Sequence, residues 1–343
     1  MRALHFSWFC FLTAFTGWFA VAPLLPTIKE DLNLTDAQIG DSNIASVSST
    51  IIFRILSGPL CEKFGARRVM SAILIIGAIP TALVSLSQGP ASLITFRFFV
   101  GILGATFVPC QFWTTQMFSP NTVGGANALS AGWGNMGGGV TYLLMPLVFE
   151  GFNIFFPERD WYYRDQPNEG YVQFGEKDSK QPKTKNNIEF HQIPVLIHYL
   201  LVFINPNVVL MMVMYACCFG VEVAVDNVIV IFFYSAFDIS QTTAGLYGSI
   251  FGLLNIFSRV AGGLTSDFAN KTIVPYLDPA AVGIVTGLVG AGGNIGGLIF
   301  AAIFKAYASD LRTGFMIVGL AVLTVSLVPF LMSIHGRTLI FGT

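Results

Sequence analysis

Two stretches of sequence decide the fold: STIIFRILSGPLCE at residues 49–62 and LLNIFSRVAGGLTSD at residues 253–267. Each has an arginine inside an apolar helix pattern, a glycine four residues later and an acid eight residues later. These residues are Arg54, Gly58 and Glu62 in the first stretch and Arg259, Gly263 and Asp267 in the second. A guanidinium in hydrocarbon costs about 2.5 kcal/mol or more, so two in repeated contexts indicate a function. We interpret them as a paired anion site that arose by gene duplication.

A glycine-rich signature also occurs twice, as AGWGNMGGG at residues 131–139 and AGGNIGG at residues 291–297. Its glycines are Gly132, Gly134, Gly137 and Gly138 in the first copy and Gly292, Gly293, Gly296 and Gly297 in the second. Glycines let helices approach closely and leave backbone hydrogens uncovered for a nearby ion, and alone they favour helix packing. Asn135 and Asn294 shift that balance, because a neutral amide can donate to an anion or orient an arginine.

The composition indicates a protein with several membrane spans. Of 343 residues, 54% are hydrophobic and 11% are charged, whereas soluble domains have roughly 25% charged residues. A net charge of −1 argues against nucleic acid as a partner. The five cysteines lack metal-ligand spacing, and no nucleophile–base set or phosphate loop stands out. We therefore predict no metal, no cofactor and no enzymatic activity.

The hydropathy pattern predicts an all-α membrane protein, because a helix needs about 20 apolar residues to cross a bilayer. Nine candidate spans lie at residues 5–26, 39–60, 69–87, 93–116, 126–149, 207–236, 242–264, 280–304 and 313–334. The basic residues Lys63, Arg67 and Arg68 between the second and third spans predict a cytoplasmic loop and a cytoplasmic N-terminus. The predicted domains are an N-terminal half at 1–149, a polar linker with a short apolar segment at 150–206, and a C-terminal half at 207–343.

The spacing of the repeated motifs predicts missing helices. Arg54 and Asn135 are 81 residues apart, whereas Arg259 and Asn294 are 35 residues apart. The deficit of 46 residues corresponds to about two spans with their turns. A third crossing is missing at the linker, since five spans should leave its start outside although its lysines indicate the inside. Nine spans and three missing ones make twelve.

Twelve helices in two similar halves resembles the major facilitator superfamily. GPLCEKFGARR at 58–68 resembles the superfamily's loop motif, with Glu62 where Asp is usual, and Leu93-x3-Arg97-x3-Gly101-x2-Gly104-Ala105 resembles its fourth-helix motif. The doubled glycine signature resembles the nitrate/nitrite porter family, and segments 107–118 and 214–227 resemble its eukaryotic branch. The resemblance implies an incomplete major facilitator fold with about nine of twelve helices, lacking the sixth, the ninth and most of the tenth. It also implies a gating motif that consists of Gly58, Glu62, Gly65, Arg67 and Asp267.

The residues suit the substrate that the resemblance implies. Nitrate is a flat monoanion, and a planar guanidinium offers it two parallel N–H donors. Arg54 and Arg259, from opposite halves, could clamp it near the bilayer midplane with help from Asn135 and Asn294. The alternative is that each arginine pairs with an acid for packing. Flat aromatic walls would also suit a flat ion, and the resemblance singles out Phe107, Tyr215 and Phe219 among the 32 phenylalanines and 10 tyrosines.

Glu222 and Asp226 lie four residues apart in one predicted helix, and acids this deep in a membrane are functional candidates. One could carry a coupling proton, or Glu222 could be a fixed counter-charge to Arg259. We therefore expect a plasma-membrane transporter of nitrate, and of nitrite, that works by proton symport through alternating access. Nitrite/nitrate exchange is the second mode, and a non-transporting truncated product or a nitrate sensor is the alternative. The expected partners are nitrate or nitrite, protons and the lipid bilayer, and the sequence identifies no accessory subunit.

Overall fold

A computed structural model of the protein describes residues 2–119, 122–155, 195–268, 282–327, 333–334 and 337–338. Most of the predicted linker, including its lysines, lies outside the described residues. So does the side chain of Asp267, a predicted gating residue, although its backbone is helical.

The described chain is almost entirely helical. The first part contains α1 (Arg2–Phe19), α2 (Leu25–Asp31), α3 (Asp36–Phe64), α4 (Ala66–Leu83), α5 (Pro90–Val100), α6 (Phe107–Met117) and α7 (Val123–Phe155). Three 3-10 turns lie at Ala22–Leu24, Val84–Leu86 and Gly101–Thr106. The second part contains α8 (Val195–Ile204), α9 (Pro206–Phe237), α10 (Gln241–Leu253), α11 (Asn255–Phe268), α12 (Val282–Ala306) and α13 (Leu311–Val325). A short antiparallel pair of strands, β1 (Ser333–Ile334) and β2 (Arg337–Thr338), follows them. The predicted all-α fold class is confirmed.

Seven helical segments in the described part of the chain are long and apolar enough to cross a membrane. They are Arg2–Asp31, Asp36–Phe64, Ala66–Leu86, Pro90–Met117, Pro206–Phe237, Gln241–Thr265 and Val282–Ala306. Each coincides with one of the nine predicted spans. The other two predicted spans correspond to α7, which has 33 residues but is rich in glycine, and to α13, an apolar helix of 15 residues.

Local sequence signals determine where α3, the helix of Arg54, begins and ends. Its N-cap is Thr35, whose side chain accepts from the Gln38 backbone N–H, while the Gln38 side chain accepts from the Thr35 backbone N–H. This reciprocal capping box satisfies two donors that a helix start leaves without partners. The helix ends at Phe64, and its C-cap is Gly65, which has a φ of 82°. A positive φ favours glycine, so this loop-motif residue has a structural reason to be glycine.

Close glycine contacts join the two halves along two helix pairs. A Cβ at Gly58 of α3 would lie 2.6 Å from the carbonyl oxygen of Gly283 in α12. A Cβ at Gly139 of α7 would lie 2.6 Å from the backbone nitrogen of Leu253 in α10. Real Cβ atoms essentially never come this close, so α3 and α12 can touch only because these positions lack side chains, and the same is true of α7 and α10.

The largest core cluster lies where the two halves meet. It combines Phe11, Phe15 and Trp18 of α1 with Phe107 of α6 and Phe219 of α9. Large apolar side chains are exposed on the outside of the bundle, among them Ile75, Phe257 and Leu323. An apolar exterior is expected where a protein faces lipid. The shared core places Phe107 and Phe219, two predicted site residues, beside each other.

Candidate functional site

Arg54 lies fully buried on α3, and two of its nitrogens donate to neutral backbone carbonyls. Its Nε donates to the Gly104 carbonyl at 3.0 Å, and its Nη1 donates to the Gly290 carbonyl at 2.9 Å. The side chain is 0% exposed, and its Nη2 has no hydrogen-bond partner among the described residues. The guanidinium therefore keeps a donor available for another ligand.

Arg259, on α11 of the opposite half, is instead held by an acid and an amide. Its Nη2 forms an ion pair with Glu222 Oε2 of α9, and its Nε donates to Asn255 Oδ1 at 2.7 Å. Asn255 is itself fixed by a bond from its Nδ2 to the Gly252 carbonyl at 3.1 Å. Asn255 was not among the predicted site residues, although its position one turn before Arg259 in the sequence could have identified it.

Both guanidinium groups lie over the ring of Phe219. The Arg54 Cζ is 4.5 Å from the ring centroid, and the Arg259 Cζ is 6.0 Å from the same centroid. The two Cζ atoms can therefore be no farther apart than the sum of these distances. A cation over an aromatic face is attracted by the ring quadrupole, so Phe219 helps to hold two like charges near each other.

The three predicted aromatic residues form one stack. Tyr215 lies parallel to Phe219, with centroids 5.2 Å apart and an interplanar angle of 4°. Phe107 stacks on Tyr215 at 5.7 Å and 27°, and it also lies 4.9 Å from the Arg54 Cζ. The Tyr215 hydroxyl has no hydrogen-bond partner among the described residues. The stack offers a flat surface with one polar atom beside the arginines.

The signature asparagines each donate to their own helix. The Asn294 Nδ2 donates to the Gly290 carbonyl at 3.1 Å, the same oxygen that accepts from Arg54. The Asn135 Nδ2 donates to the Ala131 carbonyl at 2.8 Å. Neither Oδ1 has a partner in the described part of the chain. Asn294 thus contacts the Arg54 site through a shared carbonyl, whereas these contacts do not connect Asn135 to either arginine.

The signature glycines serve close packing around this site. A Cβ at Gly293 would meet the Tyr215 ring at 2.6 Å, and one at Gly132 would meet the Asn255 carbonyl at 2.8 Å. The others face neighbouring atoms as follows: Gly134 the Phe11 ring, Gly137 the Leu12 carbonyl, Gly138 the Asp226 carboxyl, Gly292 the Met212 side chain, Gly296 the Ala216 backbone, and Gly297 Val47 and Val223. The signatures let α7 approach α1 and α11, and let α12 approach α9.

Asp226, one turn beyond Glu222 on α9, is buried in a different setting. It is 4% exposed, and its Oδ1 has no hydrogen-bond partner among the described residues. Its backbone carbonyl accepts from the Tyr142 hydroxyl of α7. The next residue, Asn227, accepts from Arg97 Nη2 at 2.9 Å across the two halves. Arg97 and Tyr142 were not predicted as site residues, because only tertiary contacts bring them to α9.

Three residues of the predicted gating motif, Gly58, Glu62 and Gly65, follow Arg54 along α3 toward its C-terminal end. Gly58 contacts Gly283, while Glu62 is half-buried near the same glycine. Gly65 is the C-cap of α3, and Arg67 is exposed at the start of α4.

At the other end of α3, which the sequence predicts to face outward, a cavity of about 770 Å³ is lined by Asn43, Asn227 and Lys305 among others. Among the described residues, no three His, Cys, Asp or Glu side chains form a metal-binding group.

Comparisons with known proteins agree with this architecture. The Major Facilitator Superfamily model matches residues 7–164. The chain is 30% identical to high affinity nitrate transporter 2.5 of Arabidopsis thaliana, over 95% of this chain and 78% of that protein. It is also 30% identical to nitrate transporter 2.1 of Chlamydomonas reinhardtii, over 89% of this chain and 68% of that protein. The first alignment spans 403 residues, more than the chain's 343, so the relative has segments with no counterpart here.

Solved structures share the fold at low sequence identity. The human organic anion transporter MFSD10 aligns with a TM-score of 0.57 at 14% identity, covering 95% of this chain and 99% of that chain. A bacterial homolog of the human lysosomal transporter Spinster aligns with a TM-score of 0.51 at 18% identity, covering 95% of this chain and 79% of that one. The expected major facilitator fold, in an incomplete form, is confirmed.

Proposed function

Since the chain belongs to the nitrate/nitrite porter family of the major facilitator superfamily, we propose that it carries nitrate, and nitrite, across the plasma membrane. Arg54 and Arg259 would be its main anion ligands. One observation carries this proposal: the guanidinium groups of the two halves lie over the same ring, that of Phe219. A small anion beside that ring would reach both.

The chemistry of the arginines fits a planar oxyanion. The unpartnered Nη2 of Arg54 would donate to one nitrate oxygen, and the Arg259 guanidinium would donate to another. Charge-assisted hydrogen bonds of this kind are roughly twice as strong as neutral ones. The stack of Phe107, Tyr215 and Phe219 would form the flat wall of the site, with the Tyr215 hydroxyl as a further donor.

Transport would follow by alternating access. Arg54 of the N-terminal half already bonds to the Gly290 carbonyl of the C-terminal half, so its side chain bridges the two halves. A bound anion would add a second bridge between Arg54 and Arg259. The occluded state would then be stabilised when the anion is present, because the anion compensates charge that is otherwise buried.

Proton coupling is assigned to the two acids of α9, with different roles. Glu222 is engaged by Arg259, which supports a counter-charge role. Asp226 is buried and has a carboxyl oxygen without a partner among the described residues, which supports it as the proton carrier. Uptake of an anion against a negative membrane potential needs an accompanying cation, and a proton on Asp226 would supply it. Exchange of nitrite for nitrate would need no such group.

A non-transporting product is the second candidate. The alignment that exceeds the chain in length supports it, because transport by rocking halves needs both halves intact. A nitrate sensor would keep the Arg54 and Arg259 site but would not move the ion.

Labelled-nitrate uptake into proteoliposomes tests these alternatives. We expect saturable accumulation that rises when the outside is acidified and that falls strongly in both Arg54→Lys and Arg259→Lys, because lysine lacks the planar fork. Asp226→Asn should retain nitrite/nitrate exchange but lose the response to the proton gradient. Nitrate binding without uptake would support the sensor, and neither binding nor uptake would support the non-transporting product. Unchanged uptake in either arginine variant would contradict the clamp.

A further inference from the structure

The two arginines differ in how their charge is balanced. Arg259 is paired with Glu222, whereas the hydrogen bonds of Arg54 go to two backbone carbonyls, which are neutral. Among the described residues, Arg54 also has an unpartnered Nη2. The pairing is asymmetric although the two sequence motifs are similar.

The charges around the site can be counted. Arg54, Arg259, Glu222 and Asp226 interact electrostatically with one another in overlapping pairs. Asp226 carries the coupling proton in the proposed function and is then neutral. Arg97 is not part of this count, because its hydrogen bond goes to Asn227 and not to a group of the anion site. Two guanidinium groups and one carboxylate remain at the anion site, so the loaded site has a net charge of one positive unit. A monoanion cancels that charge, whereas a dianion leaves one negative charge uncompensated in a dry cavity.

From this geometry we infer that Glu222 is a specificity-determining residue: its carboxylate neutralises Arg259, limits the site to a net charge of +1 and so excludes divalent oxyanions such as sulfate. This inference rests on the proposed anion site and on the proposed protonation of Asp226. Specificity of this kind uses a repulsive group against the wrong ligand, and not only attraction toward the right one.

The aromatic stack cannot supply this discrimination alone. Phe107, Tyr215 and Phe219 restrict shape, but a shape filter does not distinguish ions of similar size by charge. In a buried site the repulsion between a carboxylate and a second negative charge is screened much less than in water. Glu222 therefore makes the site select ions by charge, in addition to the selection by shape that the aromatic stack provides.

The first test measures binding of radiolabelled sulfate and labelled nitrate to the purified full chain at acidic pH. Glu222→Gln leaves two uncompensated arginines, so we expect sulfate affinity to rise by about tenfold or more, which corresponds to ~1.4 kcal/mol or more. Glu222→Asp keeps the charge and should keep wild-type selectivity. Glu150→Gln removes a carboxylate that is exposed and bonded to Thr242, so it should change nothing.

The second test uses rescue, which a purely structural role would not produce. Arg259→Gln leaves Arg54 and Glu222 with no net charge, so nitrate binding should be lost. The double variant Arg259→Gln with Glu222→Gln restores +1 and should regain nitrate binding through Arg54, though more weakly than the wild type, while still excluding sulfate. This double variant buries no unpaired charge beyond that of Arg54, which the wild type also has, so it stays informative where a single variant fails to fold.

The outcomes separate the inference from the proposed function. A wild-type protein that binds no nitrate would overturn the proposed site and the inference with it. Wild-type nitrate binding together with unchanged sulfate exclusion in Glu222→Gln would overturn the inference alone. So would a folded double variant that binds no nitrate.

Discussion

The guanidinium groups of Arg54 and Arg259 both lie over the ring of Phe219. Nitrate binding should therefore depend on the aromatic ring of Phe219 more than on the volume of its side chain. Leucine would keep an apolar side chain but remove the two cation–π contacts, each worth roughly 0.5–2 kcal/mol. We expect Phe219→Leu to weaken nitrate binding by about tenfold or more. Nitrate titration of the purified protein measures this loss. Phe304→Leu is the control, since Phe304 is equally buried in another cluster. Equal losses in both variants would contradict the role of Phe219.

Asn255 should set the orientation of Arg259. Replacing it by alanine removes the acceptor of the Nε donor and leaves part of a partly buried guanidinium unsatisfied. Such a loss costs about 1–3 kcal/mol. We expect Asn255→Ala to weaken nitrate binding and to lower the thermal midpoint. Ser258→Ala is the control, because Ser258 bonds to its own helix at an exposed position. An Asn255 variant that matches Ser258→Ala in both measurements would refute this role.

For single residues, the sequence pattern identified the two arginines of the candidate site but not the groups that contact them. The doubled motif singled out Arg54 and Arg259, and the structure brings both to Phe219. Which acid compensates which arginine could not be predicted, because Glu222 and Arg259 lie 37 residues apart and meet only through the packing of α9 against its neighbours. The sequence did not identify the Gly104 and Gly290 carbonyls as the partners of Arg54, although Gly104 belongs to the fourth-helix motif. The functional assignments of these residues remain predictions.

At the scale of helices, the contact between α3 and α12 depends on the absence of two side chains. A Cβ at Gly58 would clash with the Gly283 backbone, which cannot move as a flexible side chain does. We expect Gly58→Ala to destabilise the protein by about 1–3 kcal/mol, the cost of overpacking. Gly262→Ala is the matched control: it lies within α11 with nothing within 4 Å of its Cβ, and alanine favours a helix. Thermal unfolding in detergent should separate the two variants, and equal midpoints would contradict this account of the contact.

Hydropathy predicted the helices well where they are uniformly apolar. Hydropathy was less informative for α7. Its glycines allow close contacts with α1, α10 and α11, and they contribute little hydrophobic side-chain surface. The apolar segment that contains α8 is too short to be predicted as a membrane span, and α8 itself has 10 residues. The predicted domain boundaries and the three missing helices depend in part on residues outside the described ranges, so they remain predictions.

At the scale of the whole molecule, polar contacts bridge the two halves at the predicted outer end. Lys305 of α12 forms an ion pair with Asp41 of α3, and Gln241 of α10 bonds to Thr27 of α2 and to the Pro23 carbonyl. These side chains are partly exposed, so each contact contributes little to stability. Weak bridges would suit an outer end that opens and closes during the proposed transport.

Reversing one charge of that bridge should open the outer end. Asp41→Lys places two cations opposite each other, and an exposed pair is worth about 0.2–1 kcal/mol, so the open population should rise by up to about fivefold. A cysteine at Asn43, in the outer cavity, reports opening through its reaction with a membrane-impermeant thiol reagent. Lys305→Asp added to Asp41→Lys should reverse the effect. Asp36→Lys is the control, because Asp36 pairs with Lys29 within its own half. No change in labelling would contradict a gating role for the bridge.

A double-mutant cycle for nitrate binding tests most directly whether Arg54 and Arg259 grip one ion together. Nitrate affinity is measured for the wild type, Arg54→Lys, Arg259→Lys and the protein that carries both changes. If both guanidinium groups hold the same ion, each single change weakens nitrate binding strongly. The loss of binding free energy in the double variant is then smaller than the sum of the two single losses, by an interaction energy of at least about 0.5 kcal/mol. Strictly additive losses, or a single variant with wild-type affinity, would contradict the shared grip.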